Sequence, residues 1–281
     1  MNAVTILGSA AAEGIPARFC DCEICRKAWE NKGKDLRMTT AYSLNERVRI
    51  DYGPDTYAEE LRNGLNSAHL KHLFITHEHE DHLDTFSLRM RRPGFSRDFI
   101  SPLNLYGRAT VWNTIRHELG APAGAVLETL NFNLLIPFQP VELPEEDMTF
   151  YPLPANHYHI AGEAVIFAIR HGKAWLLIAN DTGYLPEESW QWLEEKKIPF
   201  DIVIADCTGC MENWRDGHMS GSWHLAFRDR MIKIGSVTSG TRYVINHFSH
   251  NGKALHADLE RHFGPYGIEV GYDGMVLPYE K

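Results

Sequence analysis

The sequence predicts a mixed α/β fold in which helices cover sheets, and two observations point there. Short runs rich in Val and Ile recur along the chain, and amphipathic helical patterns lie between them. Strand-like runs fall at Val4 to Leu7, Arg47 to Asp51, Leu70 to Thr76, Met148 to Leu153, Ala164 to Arg170, Lys173 to Ala179, Asp201 to Ala205, Arg242 to Asn246 and Ile268 to Tyr272. Helical patterns fall at Thr56 to Asn66, Glu187 to Lys196, Ser222 to Ile234 and Gly252 to Phe263. The runs AVIFAIR and KAWLLIAND flank His171 and Gly172, which reads as a hairpin with a two-residue turn. Residues 93 to 146 are rich in Pro, Asn and Glu and say least, although PGFSRDFISP has the composition of a loop over a pocket. No repeat, low-complexity linker or composition break divides the chain, so residues 1–281 are expected to form one domain.

Composition narrows the function. With 281 residues and 44% hydrophobic content, the chain can bury a substantial core. A formal charge of −9 disfavours a general nucleic-acid binder, which needs a basic stripe to replace counterions on phosphates. The opening residues show no basic, apolar secretory pattern, and no stretch approaches the roughly 20 apolar residues of a membrane span. Three of the five cysteines crowd between Cys20 and Cys25, which suits metal ligation in a reducing compartment better than a disulfide framework. A cytoplasmic location without membrane association is expected.

The chemistry concentrates in THEHEDHLD, Thr76 to Asp84, directly after an apolar run. Charged clusters between periodic segments are usually solvated loops, but functional residues also gather at strand ends. Imidazoles and carboxylates are donors suited to Zn, Mn, Fe or Co. His77, His79, Asp81 and His82 cannot all converge on one ion, whereas two neighbouring ions could use them all. Three further donors stand in the same relation to a preceding strand: His157 in YPLPANHYH, Asp181 in LLIANDTGY and His247 in YVINHFSH.

H-x-H-x-D-H followed in order by H, D and H resembles the metallo-β-lactamase superfamily, over nearly the whole chain as far as GYDGM. The resemblance implies a four-layer αββα sandwich with a dinuclear site at its edge. One ion would take His77, His79 and His157, the other Asp81, His82 and His247, with Asp181 bridging them. Asp51 in IDYG matches an aspartate preceding the cluster, for which an orienting or turn role fits better than ligation.

FCDCEIC sets Cys20, Cys22 and Cys25 in a C-x-C-x2-C pattern; thiolates this close repel unless a cation takes them up, and His250 is a candidate fourth ligand of a structural zinc. That loop, together with the late H-x-x-H, NDTG, ADC and RDGHMS, resembles the phosphoribosyl cyclic phosphodiesterase family of the carbon–phosphorus lyase pathway. The likeness implies hydrolysis of a small, cyclic ribose phosphate ester through a metal-bound hydroxide, with Asp81 and His218 as catalytic residues. His218 would act as general acid or hold a phosphoryl oxygen. Two divalent ions, Mn or Zn with Ni, Co or Fe as further options, would work beside one structural zinc. The expected partner is a small phosphate ester, not nucleic acid; a homodimer is compatible with the sequence. The turn GSAAAEG is poorer in glycine than that family's pattern. Cys207 and Cys210, in DCTGC, are read as small buried residues. Two other functions fit the same ligands: hydrolysis of a thioester, lactone or lactam, and a non-catalytic accessory role in cofactor biosynthesis.

Overall fold

The computed structural model describes residues 2–98, 102–120, 123–157, 160 and 162–280. Two seven-stranded sheets pack face to face. The first runs in the order β14 (Met275–Tyr279), β1 (Asn2–Gly8), β2 (Ala41–Ser43), β3 (Val48–Ile50), β4 (His72–Phe74), β5 (Leu103–Gly107) and β6 (Leu130–Leu134). The second runs β13 (Ile268–Val270), β12 (Arg242–Asn246), β11 (Ile202–Asp206), β10 (Ala174–Ala179), β9 (Val165–His171), β8 (Met148–Pro154) and β7 (Val141–Leu143). Each sheet is antiparallel over one half and parallel over the other.

Alternation along the strands builds the layers. In β10 and β11, Leu176, Ile178, Ile202 and Ile204 face the other sheet, while Leu177, Ala179, Val203 and Ala205 face helices. Strands buried on both faces read as continuous apolar runs, which is why these were visible in the sequence. Between the sheets, Phe74 stacks on Phe150 at 3.8 Å and on Tyr106 at 4.3 Å. Trp190, Leu193, Phe227, Leu259 and Phe263 cover the second sheet from α6 (Glu187–Lys196), α7 (Gly221–Lys233) and α8 (His256–Phe263). Val111, Ile115 and Leu119 of α4 (Ala109–Leu119) cover the first. The result is the αββα sandwich.

Several local expectations need correction. The hairpin turn is Gly172–Lys173 rather than His171–Gly172, because His171 still pairs with Ala174 and the positive φ of 62° falls on Gly172. Strands β2, β5, β6, β7 and β14 and helices α1 (Glu23–Asn31), α3 (Thr85–Leu88), α4 and α5 (Ala123–Leu127) were not anticipated. Helix α8 begins at His256, not Gly252, since Lys253 at φ 57° cannot continue a helical turn. Of the supposed pocket loop PGFSRDFISP, residues 99–101 lie outside the described residues; Ser96, Arg97 and Asp98 line a small cavity of about 170 Å³ with Tyr52 and Arg91, to which none of the candidate metal ligands contributes.

Candidate metal centre

The strand ends deliver the side chains. His77 to Asp84 follow β4, His157 follows β8, Asp181 follows β10 and His247 follows β12. Asp181 and His247 adopt positive φ, 49° and 65°, as does Asp51 after β3 at 62°. Such conformations cost energy in non-glycine residues and persist only where the surroundings impose them. Gly53 supports the histidine loop by proximity: a Cβ there would lie 2.0 Å from the Asp81 carbonyl oxygen.

Two sets of donors converge. His77 Nε2 lies 2.9 Å from His79 Nδ1, which lies 3.2 Å from His157 Nε2. Ligands about 2.0–2.1 Å from one ion stand roughly 2.9–3.4 Å apart, so these nitrogens have the spacing of a shared cation. In the second set, His82 Nε2 is 3.1 Å from Asp81 Oδ2 and 2.9 Å from Asp181 Oδ2, and His247 Nε2 is 2.8 Å from Asp181 Oδ2. The other Asp181 oxygen, Oδ1, is 3.6 Å from His157 Nε2. One carboxylate therefore turns one oxygen to each set, as a bridge requires. His82 Nε2, His247 Nε2 and Asp181 Oδ2 are buried without hydrogen-bond partners. Burying three such atoms together is costly unless a cation receives them, and the residues fit a pair of divalent ions.

The opposite ring nitrogens are tied down. His82 Nδ1 donates to Asp51 Oδ2 at 2.7 Å, and Asp51 also accepts from the Thr76 amide at 2.8 Å. His157 Nδ1 donates to the Gly217 carbonyl at 2.7 Å. His247 Nδ1 lies 2.8 Å from Thr208 Oγ1, which donates to Asp206. These bonds leave each Nε2 to face inward as a ligand.

The electrostatics agree. Burial opposes charge on Asp81 and Asp181, yet His82 and His247 hold both carboxyls well below the usual range. Burial likewise opposes protonation of His247, but Asp181 raises it to about 10. His77, facing mainly other imidazoles, is pushed well below normal by burial and by the charge on His82. The centre thus neutralises its carboxylates with positive charge, which a divalent ion supplies while displacing those protons.

His218 stands beside this group. Its Nδ1 is 3.1 Å from Asp206 Oδ2 and 3.0 Å from Thr208 Oγ1, and its ring lies 4.8 Å from that of His157. Burial opposes its protonation, but the Asp206 carboxylate wins and raises its pKa. Sequence reasoning missed Thr208, which links Asp206 to both His218 and His247, and the Gly217 carbonyl.

The cysteine cluster lies close by. His250 Nδ1 is 3.6 Å from Cys20 Sγ, 3.4 Å from Cys22 Sγ and 3.7 Å from Cys25 Sγ. A tetrahedral zinc with bonds of about 2.3 Å to sulfur and 2.0 Å to nitrogen sets that edge at about 3.6 Å, so the four donors fit one zinc. Burial raises Cys25 to about 12, whereas His250 lowers Cys22 to about 6 although burial opposes it. Cys207 and Cys210 are fully buried, and their thiols donate to backbone oxygens, Cys207 to that of Cys210 and Cys210 to those of Thr208 and Ser249. They fill space as expected.

Two clefts meet the centre. One, of about 770 Å³, is lined by His79, Asp81, Arg18 and Phe86 among others; the second, of about 530 Å³, is lined by His157, Tyr184 and Arg215.

Fold and site together define a protein of the metallo-β-lactamase fold with a candidate dinuclear metal centre. The model of the β-lactamase superfamily domain matches residues 46–248, and the chain belongs to that family. Among solved structures it is similar to a diphosphatase of the PhnP family, at 23% identity and TM-score 0.74 over 100% of this chain and 98% of that one. It is also similar to zinc-bound PqqB from Methylobacterium extorquens, at 19% identity and TM-score 0.75 over 99% and 100%. Human tRNase Z, short form, aligns at 18% identity and TM-score 0.65 over the whole of both chains. A curated octanoyltransferase of Porphyromonas gingivalis is 26% identical over 96% of this chain, which spans about half the length of that relative. No helix among the described residues is long and apolar enough to cross a membrane.

Proposed function

We propose that the chain is a phosphodiesterase acting on a small, cyclic ribose phosphate ester, with Mn or Zn at the dinuclear centre and zinc in the cysteine cluster. The observation that carries this reading is the pairing of His218 with Asp206. Hydrolysis of a phosphodiester expels an alkoxide, a poor leaving group that needs a proton; a thioester expels a thiolate that needs none. Asp206 accepts from Nδ1 of His218, so the proton on Nε2 is the one delivered to the departing sugar oxygen. Burial opposes the charge on that ring, but the Asp206 carboxylate raises its pKa and so favours the protonated form. When bound, the two ions supply Lewis acidity that activates water and neutralises the phosphoryl oxygens. The imidazoles of His77, His79, His82, His157 and His247 and the carboxylates of Asp81 and Asp181 would hold that pair.

A second reading, acyl hydrolysis, draws on the similarity to the octanoyltransferase. A panel of cyclic phosphodiester, acyl thioester and lactone, assayed with Mn, Zn, Co and Ni, separates the two. Turnover confined to the phosphodiester is the expected result, and turnover confined to the acyl substrates would promote the second reading.

A further inference from the structure

We propose that Phe86 is a stacking platform for a nucleobase, which makes the substrate a nucleotide rather than a bare sugar phosphate. The cleft on the His79 and Asp81 side has the volume of a small-molecule site, typically about 300–1,000 Å³. Its wall chemistry is unusual for a phosphate pocket. Glu78, Glu80, Asp84 and Glu118 line it besides Asp81, against the single cation Arg18, itself 3.3 Å from Asp55. A second phosphate entering there would meet net negative charge. An uncharged ring bearing amino groups would find acceptors in the carboxylates and donors in the guanidinium.

The flat contact such a ring needs is Phe86. It lines this cleft with Leu83 and Pro54, yet the residue remains 63% exposed, which leaves much of a phenyl ring in water where covering it would be favourable. It is also held in place. Asp84 accepts from the Phe86 amide at 2.9 Å, the Asp84 amide donates to the Tyr52 carbonyl at 2.7 Å, and Thr85 Oγ1 donates to Glu118 at 2.7 Å. Phe86 lies four residues beyond the ligand His82, on the turn that follows the metal-binding loop. A base on Phe86 and a phosphate at the ligands can therefore belong to one nucleotide. The inference rests on the phosphodiesterase reading only in seating the phosphate at the metal ligands.

The test is calorimetric binding of adenosine monophosphate and of ribose 5-phosphate to metal-loaded protein, alongside turnover of adenosine 2′,3′-cyclic phosphate. Wild type should bind the nucleotide more tightly than the sugar phosphate. Phe86→Ala, at an exposed position that spares the core, should weaken nucleotide binding about tenfold and leave ribose 5-phosphate unchanged, as loss of one base–aromatic stack does. Phe86→Trp should restore it. The KM for the cyclic nucleotide should rise by the same factor in Phe86→Ala with kcat unchanged. Equal affinity for both ligands in wild type, or nucleotide binding indifferent to Phe86→Ala, would overturn the platform. A Phe86-dependent preference without cyclic-phosphate turnover would sink the phosphodiesterase reading and leave the platform standing.

Discussion

His247 and His250 leave the same strand end three residues apart and face two different donor sets. His247 Nε2 meets Asp181 Oδ2 at 2.8 Å, while His250 Nδ1 meets the three cysteine sulfurs at 3.4–3.7 Å. The connecting backbone is fixed without help from the cysteines: the Phe248 amide donates to the Ser9 carbonyl at 2.9 Å and the Ser249 amide to the Thr208 carbonyl at 3.1 Å. The cysteine cluster therefore anchors the loop bearing Arg18, Phe19 and α1 more than it shapes His247.

Cys22→Ser tests that division. The variant should lose one tightly held zinc of about three metals per loaded chain, melt at lower temperature and fold in lower yield. Turnover per correctly folded molecule should stay near normal. Metal analysis after dialysis against EDTA, with thermal melting, checks it. Unchanged melting together with full zinc content would mean the thiols hold nothing.

Asp51→Asn probes the support beneath the second donor set. Asp51 accepts from His82 Nδ1 and from the Thr76 amide and hydroxyl, so an amide in its place loses an acceptor and frees His82 to carry its proton on Nε2. That proton blocks ligation. Affinity at the second site should fall about 10–100-fold, with a smaller change at the first, measured by competition with a chromophoric chelator. Equal loss at both sites would show a general collapse of the loop.

Much of this centre was legible because its donors occupy short, repeated contexts. His157, Asp181 and His247 each follow a buried strand, and strand ends in a sheet with neighbouring parallel strands gather at one edge. Thr208 and the Gly217 carbonyl were not legible, since a hydroxyl or a backbone oxygen leaves no spacing signature. Three of the missed strands carry residues that disguise a strand. Leu103–Gly107 and Leu130–Leu134 are interrupted by Asn, and Met275–Tyr279 carries Pro278, which only an edge strand such as β14 tolerates. Helix α1 was hidden inside the cysteine motif, where Cys22 caps it by accepting from the Cys25 amide.

Acid should weaken the fold through His224, well inside the second helical layer. Its ring is fully buried against Tyr243 and Phe263, its Nδ1 donates to the Asp206 carbonyl at 2.9 Å, and burial lowers its pKa from 6.5 to about 4. The unfolded chain binds this proton below pH 6.5 while the folded chain refuses it until about pH 4. Stability from this residue is therefore complete above pH 6.5 and declines as the pH falls through that window. Between pH 7 and 5 the loss is on the order of 2 kcal/mol. His224→Phe keeps the ring contacts without the titration, so its urea-unfolding free energy should fall less over the same interval. Parallel declines in both proteins would remove His224 from the account.

His218→Ala separates proton donation from phosphate positioning. An aryl phosphodiester releases a phenolate that is stable without a proton, whereas a ribose cyclic phosphate releases an alkoxide that is not. If Nε2 of His218 delivers the proton while Asp206 holds Nδ1 at 3.1 Å, removing the ring should lower turnover of the ribose ester by about 10²–10⁴ and spare most activity on the aryl ester. His77→Ala removes a donor from the first set and should depress both substrates alike. The Asp206→Asn variant should resemble His218→Ala on the ribose ester but act more weakly, because the imidazole remains and only its hold on the proton is loosened. Equal losses on the two substrates in His218→Ala would mean that the ring positions the phosphoryl group and that the proton comes from elsewhere.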